Sequence, residues 1–223
     1  MSVGGGGGAG GLSIAGDVTA FGGLSLTMGG DGGSGNAAGD TYAFNTGNIW
    51  TEEEYAYGLL AQSIGGGGGT GGSSGSVMVN FSSLIPIPEQ YPKGSINFAL
   101  SLGGKGGDGG LAGDVDVENA GSVLTKGDYS HGIFAQSVGG GGGDGGKSTA
   151  ATANISLPDG VEDNDQEKMT KQTEIEVDFA MALGGDGGEG NHGRKVDVSN
   201  TGLIDTFGIG AHGIFAQSIG GGG

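Results

Sequence analysis

The stretch that decides the fold is GIFAQSVGGGGG, at residues 132–143. A second copy, GIFAQSIGGGG, occupies 213–223, and a looser copy, GLLAQSIGGGGG, occupies 58–69. A short motif that recurs three times, each time followed by a glycine run, either carries a chemical function or marks a structural repeat. The residues around the three copies decide between these two readings.

The three copies belong to a longer repeat. From the short glycine pair before each copy to the glycine run that ends it, the separation is always 36 residues, as from Gly29 to Gly65. Inside this window the copies align without a gap, which is the signature of a repeat architecture. Among the positions that hold the same residue in all three copies are Asn45, Asn119 and Asn200; Gln62, Gln136 and Gln217; and Ser63, Ser137 and Ser218.

The connectors between the repeats vary in length. We place the repeat blocks at about 26–69, 100–143 and 181–223, and the variable connectors at 70–99 and 144–180. Segments that change length between repeats lie on the surface, which here means loops 84–94 and 158–173. We interpret residues 1–223 as a single repetitive segment of a longer chain.

The composition predicts an all-β chain. Glycine supplies 59 of the 223 residues, and proline supplies 4. Apolar residues nevertheless gather in short clusters such as INFALSL (96–102), which a disordered chain rarely has. We therefore expect apolar strands stacked into a narrow core, with glycine at the corners. No convincing helix is present, and only 162–176 is open to a short helix or a loop.

The strand pattern makes this expectation more specific. VDVEN (115–119) and VDVSN (196–200) alternate apolar with polar residues, as half-buried strands do. Each is followed by Asn-x-Gly, which tolerates a left-handed backbone and suits a tight corner. The sequence predicts a right-handed parallel β-helix, or β-solenoid, with several coils for each block and connector. A bundle of polyglycine helices, as in a binding or ice-structuring protein, needs long G-x-x tracts, whereas these runs are short and broken by strands.

The charge excludes some partners. The formal net charge is −17, from 25 acidic and 8 basic residues, which disfavours nucleic acid and anionic lipid. No run of about 20 apolar residues exists, so we expect no membrane insertion by this segment. The chain has no cysteine, which excludes disulfides and thiolate chemistry.

A serine nucleophile with a histidine base is the first chemical alternative. His131 precedes Ser137 by six residues, and His212 precedes Ser218 by the same distance. Six residues along a strand put the two side chains roughly 20 Å apart, and the first copy has Tyr57 in place of histidine. We therefore predict no catalytic residue and no enzyme. The serines are expected to bond to backbone at the glycine corner, and the glutamines to form side-chain bonds along the stack.

Calcium is the second alternative. GGKGGDGG (103–110) and GGGGGD (139–144) match the opening of a calcium-binding nonapeptide, which makes Asp108 and Asp144 the candidate ligands. The matches are not in tandem, and the equivalents of Asp108 in the other copies are Ser34 and Glu189. We therefore predict no cofactor and keep calcium as a minor alternative.

The remaining motifs concern nucleotides and recognition surfaces. A phosphate-loop pattern can be traced from Gly141 to Ser148, but the residues after it read as a strand rather than a helix. The acidic stretch from Asp159 to Asp178 reads as a solvated loop or a contact surface for a cationic partner. The proline-bearing loop 84–92, with Tyr91, is the other candidate for recognition.

The repeat resembles a known family. Through VDVENAGSVLTKGDYSHGIFAQSVGGGGG (115–143) and VDVSNTGLIDTFGIGAHGIFAQSIGGGG (196–223), the chain is similar to the glycine-rich repeats in passenger regions of bacterial autotransporters, the type V secreted proteins. The first copy departs from the pattern at Tyr57 and at Leu59-Leu60. The resemblance implies a signal peptide and a translocator barrel elsewhere in the full-length protein. It also implies an extracellular location, anchored to the outer membrane.

The predicted function is a non-catalytic, surface-displayed stalk or adhesin segment. It would mediate adhesion or aggregation through repeated weak contacts with a host or neighbouring-cell surface, with glycans or with itself. The alternative is a passenger with a polysaccharide-active or calcium-binding function on the solenoid surface.

Overall fold

The chain folds entirely into strands and extended segments where the structure describes it. A computed structural model describes residues 1–20, 22–81, 94–155 and 175–223. These ranges contain sixteen strands and no helix, so no helix there crosses a membrane. The prediction of an all-β chain is therefore confirmed for the described residues.

The strands fall into successive layers. The first layer has five strands: β1 (Ser2–Val3), β2 (Ser13–Thr19), β3 (Gly22–Met28), β4 (Thr41–Asn45) and β5 (Asn48–Thr51). The second has β6 (Leu59–Ile64), β7 (Ser74–Asn80), β8 (Gly94–Leu102), β9 (Val115–Asn119) and β10 (Ser122–Thr125). The third has β11 (Ile133–Val138), β12 (Ser148–Asn154), β13 (Ile175–Leu183), β14 (Val196–Asn200) and β15 (Ile204–Thr206), and β16 (Ile214–Ile219) begins a fourth.

Every strand pairs in parallel with its counterpart in the adjacent layer. The pairing builds five sheets: A (β1-β6-β11-β16), B (β2-β7-β12), C (β3-β8-β13), D (β4-β9-β14) and E (β5-β10-β15). Asn45 lies 74 residues before its counterpart Asn119, which lies 81 residues before Asn200. The expectation of several coils for each block was wrong, because one block and one connector together make a single layer.

Sheets A, D and E form an apolar lobe. Their inward-facing side chains make the hydrophobic core of the described residues, which consists of Ala61, Val115, Val117, Ile133 and Ala135. In β9, buried and exposed positions alternate, as the period-two pattern predicted, and β11 shows the same alternation. This lobe has the narrow apolar core that the sequence predicted.

Sheets B and C form a second lobe whose interior is largely polar. Ser74 and Ser101 lie hydroxyl to hydroxyl at 2.7 Å, and Ser76 Oγ donates to Ser25 Oγ at 2.8 Å. Asn97 Nδ2 donates across the lobe to Asn154 Oδ1 at 3.0 Å. The expectation that INFALSL packs its apolar residues inward was therefore wrong. Alternation assigns residues to two faces, but it does not say which face is inside.

The glycine runs connect the two lobes with a three-residue repeat. Gly65, Gly68 and Gly71 donate to the carbonyls of Val138, Gly141 and Asp144 in the next layer. Gly66, Gly69 and Gly72 donate to the carbonyls of Asn36, Gly33 and Gly30. Three residues per turn, with every bond made to a neighbouring segment, is the pattern of a polyproline II helix. The glycine runs do form a bundle, so the argument that they are too short for one was wrong.

These glycines are needed because the backbones approach closely. A Cβ on Gly107 would overlap the carbonyl oxygen of Gly33, and one on Gly121 would overlap that of Gly47. Among the described glycines, positive φ occurs only at Gly22 and Gly210. The expectation of a left-handed backbone at Asn-x-Gly was therefore wrong. Glycine is required at Gly121 by the layer beneath it.

Several predictions fall outside the described residues. They are residues 84–93 of the loop 84–94, including Tyr91, the loop 158–173, residues 162–174 of the possible helix 162–176, and the acidic stretch from Asp159 to residue 174. Residues 175–178 belong to strand β13, so the helix or loop expected there was wrong, and Asp178 accepts a hydrogen bond from Asn97. In chain order, both connections join a strand of sheet B to a strand of sheet C. The first layer makes the same connection through two residues alone, Ala20 and Phe21.

Candidate functional site

The repeated asparagines form a ladder through the three layers. Asn45 Nδ2 donates to Asn119 Oδ1, and Asn119 Nδ2 donates to Asn200 Oδ1, both at 2.7 Å. Asn119 Nδ2 also reaches the Gly121 carbonyl at 3.1 Å. Since Asn119 is only 2% exposed, its amide satisfies the backbone of the turn after β9 while linking adjacent layers.

The repeated serines link sheet A to the segments that enter sheet D. Ser63 Oγ donates to the Gly39 carbonyl at 2.9 Å and accepts from Gly113 N at 2.7 Å. Ser137 Oγ donates to the Gly113 carbonyl at 2.9 Å and accepts from Arg194 N at 2.8 Å. The partners are backbone groups, but they belong to the segments that enter sheet D. They do not belong to the glycine corner that follows each serine, where we had placed them.

The repeated glutamines lie side by side at the other face of sheet A. Gln62 Nε2 donates to Gln136 Oε1 at 3.0 Å, and Gln217 is in register with Gln136. Ser218 is likewise in register with Ser137. Because the layers are in register, polar side chains at equivalent positions lie next to one another.

The histidines belong to an aromatic column rather than to a nucleophile-base pair. The His131 ring stacks on Tyr57 with centroids 5.3 Å apart and on His212 at 5.1 Å. Phe134 and Phe215 stack beside them at 5.2 Å. Tyrosine replaces histidine in the first copy without interrupting the column, because both are flat rings. The Ser137 hydroxyl is already committed to two backbone partners.

Burial makes His131 a weak base. Its pKa is lowered, first by desolvation and second by the neighbouring His212. The backbone N–H of His212 donates to His131 Nδ1 at 3.0 Å, a bond that requires this nitrogen to carry no proton. Both effects favour the neutral imidazole.

The two calcium candidates lie on different sets of glycine segments. Asp108 belongs to the segment that leads into β9, and its Oδ1 accepts from Glu189 N at 3.0 Å. Asp31 Oδ1 accepts from Lys105 N at 2.8 Å in the same way. Asp144 lies on the segment that leads into β12. Among the described residues, no group of three or more histidine or carboxylate side chains is placed to hold a metal.

The phosphate-loop pattern has no supporting context in the fold. Residues 141–147 continue the glycine segment, and Ser148 opens strand β12 instead of a helix. A phosphate loop uses the N-terminus of the helix that follows it. The strand expected after Ser148 is therefore confirmed.

A shallow cavity on the outer face of sheet D was not anticipated. Its volume is about 180 Å³, and its lining comprises Tyr42, Asp116, Val117, Glu118, Asp197 and Ser199. Ligand pockets for drug-sized molecules usually measure about 300–1,000 Å³. The pKa of Tyr42 is raised, first by desolvation and then by Glu118. The only sequence signal was the alternation in VDVEN and VDVSN, which brings outward carboxylates together once the layers stack.

Comparison with known proteins found no match for this chain. No protein-family model, no curated protein and no solved structure matches it. The function is therefore proposed from the geometry of the repeat together with the resemblance of its sequence.

Proposed function

We propose that the chain is a segment of a right-handed β-solenoid that serves as a non-catalytic stalk or adhesin in an autotransporter passenger on a bacterial cell surface. One structural observation carries the solenoid part of the proposal, and the resemblance of the repeat to autotransporter passengers motivates the rest. Each strand pairs with its counterpart one repeat later, and identical side chains such as Asn45, Asn119 and Asn200 bond through the stack. Such an assembly grows by adding equivalent layers, each of which stabilises its neighbours.

The stack of layers, which forms a column, is broad compared with its height. A layer adds about 4.8 Å, the spacing between paired strands, and uses 74 or 81 residues. Most of the added chain therefore becomes lateral surface rather than length. This supports a display function, in which a wide and rigid column presents many surface sites.

The variable connections are the best candidates for contact with another surface. The connections of the second and third layers insert residues between β7 and β8 and between β12 and β13, where the first layer needs only Ala20 and Phe21. Weak contacts repeated along the column add up through avidity. The proposed partners are a host or neighbouring-cell surface and its glycans.

The net charge bears on solubility and on the kind of partner. The net charge of −17 keeps adjacent columns soluble. A surface of this sign also disfavours nucleic acid as the partner.

The test compares bacteria that display the full-length protein with bacteria in which residues 81–95 and 155–176 are each replaced by Ala-Phe, the first-layer connection. These bounds keep the strand register, because Gly22 pairs with Ile96 and Ile96 pairs with Val177. We expect the full-length protein to increase adhesion to cells or to glycan-coated surfaces, and the shortened form to lose most of this gain at equal surface expression. Adhesion no greater than that of cells without the protein would refute the proposed function.

A further inference from the structure

The outer face of sheet C carries an unusual exposed apolar surface. Outward positions of β3, β8 and β13 are in register and form four rows across three strands. We call this surface the apolar grid. Its members are Leu24, Leu26, Met28, Ile96, Phe98, Leu100, Leu102, Val177, Phe179, Met181 and Leu183. The twelfth position is Gly22, and none of the twelve residues is charged.

The grid residues have no place inside the lobe. A strand that slips by one residue exchanges its two faces, and the inner face here is already hydrogen-bonded. Asn97, next to Phe98 in β8, donates to Asp178 Oδ1 at 2.7 Å and is 1% exposed. Thr27 Oγ1 donates to Ser101 Oγ at 3.1 Å. The polar interior therefore fixes the apolar residues on the outside.

The grid is ordered along the layers. The Phe98 and Phe179 rings stack with centroids 4.9 Å apart and planes inclined by 8°. Leu24 continues the same row in the first layer. A row of large side chains at equal spacing makes a regular surface, onto which a second regular surface can pack.

The size of the grid matches one side of a protein interface. Ile96 is 70% exposed, Leu24 67% and Phe179 45%. With several side chains each exposing roughly 100 Å², the grid presents on the order of 800 Å². A standard interface takes about 800 Å² from each partner, and an apolar patch this large marks an interaction site.

Charge narrows the choice of partner. This surface has no charged side chain, although the net charge of the chain is −17. The face that packs on it must therefore be flat, apolar and uncharged over the same dimensions. The grid itself meets this description. The outer face of sheet B also exposes Ile14, Val18 and Val77, but glycine, alanine and threonine occupy most of the other outward positions of β2, β7 and β12, so its surface is less continuous.

We propose that the apolar grid is a self-association surface on which the grid of a second copy of this chain packs face to face. The interface is isologous, so that the same rows lie on both sides of a twofold axis. Two sheets packed this way lie about 10 Å apart with their strands inclined by about 30°. The central Phe98 row then forms the buried centre of the interface.

This inference deepens the proposed display function by naming one partner, a second copy, and in that sense rests on it. Its physical basis is the grid alone, so it is tested on the purified chain in solution, separately from cell adhesion. A chain that dimerises without promoting adhesion would refute the proposed function and leave the grid assignment standing. A chain that promotes adhesion but remains monomeric would refute only the assignment of the apolar grid as a self-association surface.

The experiment is sedimentation velocity across the micromolar range. We expect the wild-type chain to dimerise, and Phe98→Lys/Leu100→Lys to weaken dimerisation at least about 30-fold, as the loss of a central hot spot does. The matched control is Thr149→Lys/Ala151→Lys. It adds the same charge to exposed positions on the outer face of sheet B and should dimerise like the wild type. Leu24→Lys/Leu26→Lys gives a second grid variant in case the first fails to fold, as monitored by circular dichroism.

Two results would overturn the proposal. One is a wild-type chain that remains monomeric throughout the concentration range. The other is a folded grid variant that dimerises as tightly as the wild type. A monomer that floats with phosphatidylcholine vesicles would overturn it as well and would assign the grid to lipid.

Discussion

Asn45 donates a 2.7 Å hydrogen bond to Asn119, a residue 74 positions later in the chain. The bond joins equivalent positions of two layers and repeats between Asn119 and Asn200. A contact between such distant residues requires that the intervening chain complete one circuit of both lobes. The ladder therefore couples the sequence repeat directly to the stacking of layers.

Replacing the central asparagine should destabilise the stack. Asn119→Ala removes two interlayer bonds and the bond to the Gly121 carbonyl in a site that is 2% exposed. A polar group left unsatisfied in a buried site costs about 1–3 kcal/mol. We expect a loss of about 2–4 kcal/mol in the free energy of unfolding, measured by urea denaturation.

The control for this prediction is Asn48→Ala. Asn48 accepts a 2.8 Å bond from Ser122 in the adjacent layer, but the pair is exposed. The expected loss is within about 0.5 kcal/mol. Equal losses for the two variants would show that the ladder has no special role.

Glycine substitutions should show why glycine is needed at a given position. Either another backbone segment lies too close for a side chain, or the chain needs glycine's flexibility. Gly107→Ala places a methyl group on the Gly33 carbonyl oxygen, and we expect a loss of about 1–3 kcal/mol or more. Gly67→Ala is the matched control, because the nearest atom to its Cβ is the Gly141 oxygen at 3.9 Å. This variant should be neutral or gain about 0.4–1 kcal/mol, since alanine restricts the unfolded chain.

Thermal unfolding of the two glycine variants checks this prediction. If the melting temperatures of Gly107→Ala and Gly67→Ala are equal, the glycine segments are not packed as a bundle. Such a result would return the glycine runs to the simpler role of flexible corners.

The aromatic column should make stability depend on pH. Because the pKa of His131 is lowered below its usual 6.5 in the folded state, the unfolded chain binds the proton more readily. This contribution is fully present above pH 6.5 and is lost as the pH falls through the interval down to the folded pKa. We expect the wild-type melting temperature to fall more steeply between about pH 8 and pH 5 than that of His131→Tyr.

The His131→Tyr variant copies the first layer, where Tyr57 occupies this position, so the column should survive. His192→Tyr is the control, because it makes the same histidine-to-tyrosine change outside the column. A His131→Tyr profile parallel to the wild type would contradict the assignment.

Much of the fold could be predicted from the repeat. The gapless window places Asn45, Asn119 and Asn200 at equivalent positions, and the structure pairs the strands that contain them residue by residue. Alternation in VDVEN also separated the buried residues of β9 from the exposed ones. These inferences succeeded because copies of one sequence pack best when equivalent side chains meet.

Other features could not be predicted, for physical reasons. In the run from Gly65 to Gly69, every third residue donates to the same neighbour, but glycine has no side chain to display that period. In INFALSL, either face of the strand can be the inside. The decision depends on asparagines such as Asn97, whose partners come from other layers. The apolar grid and the cavity beside Tyr42 likewise exist only after the layers are in register.

The most direct test of the account is disulfide cross-linking between layers. The chain has no cysteine, so Asn48→Cys/Ser122→Cys introduces one possible bond, between strand positions that are in register. Neighbouring strands bring such Cα atoms within the roughly 4.4–6.8 Å that a disulfide needs. We expect rapid, intramolecular oxidation of this pair, detected by mass spectrometry. Asn48→Cys/Thr70→Cys, whose spacing suits a short coil, should stay reduced. Cross-linking of the Asn48/Thr70 pair, or failure of the Asn48/Ser122 pair, would contradict a layer of one block and one connector.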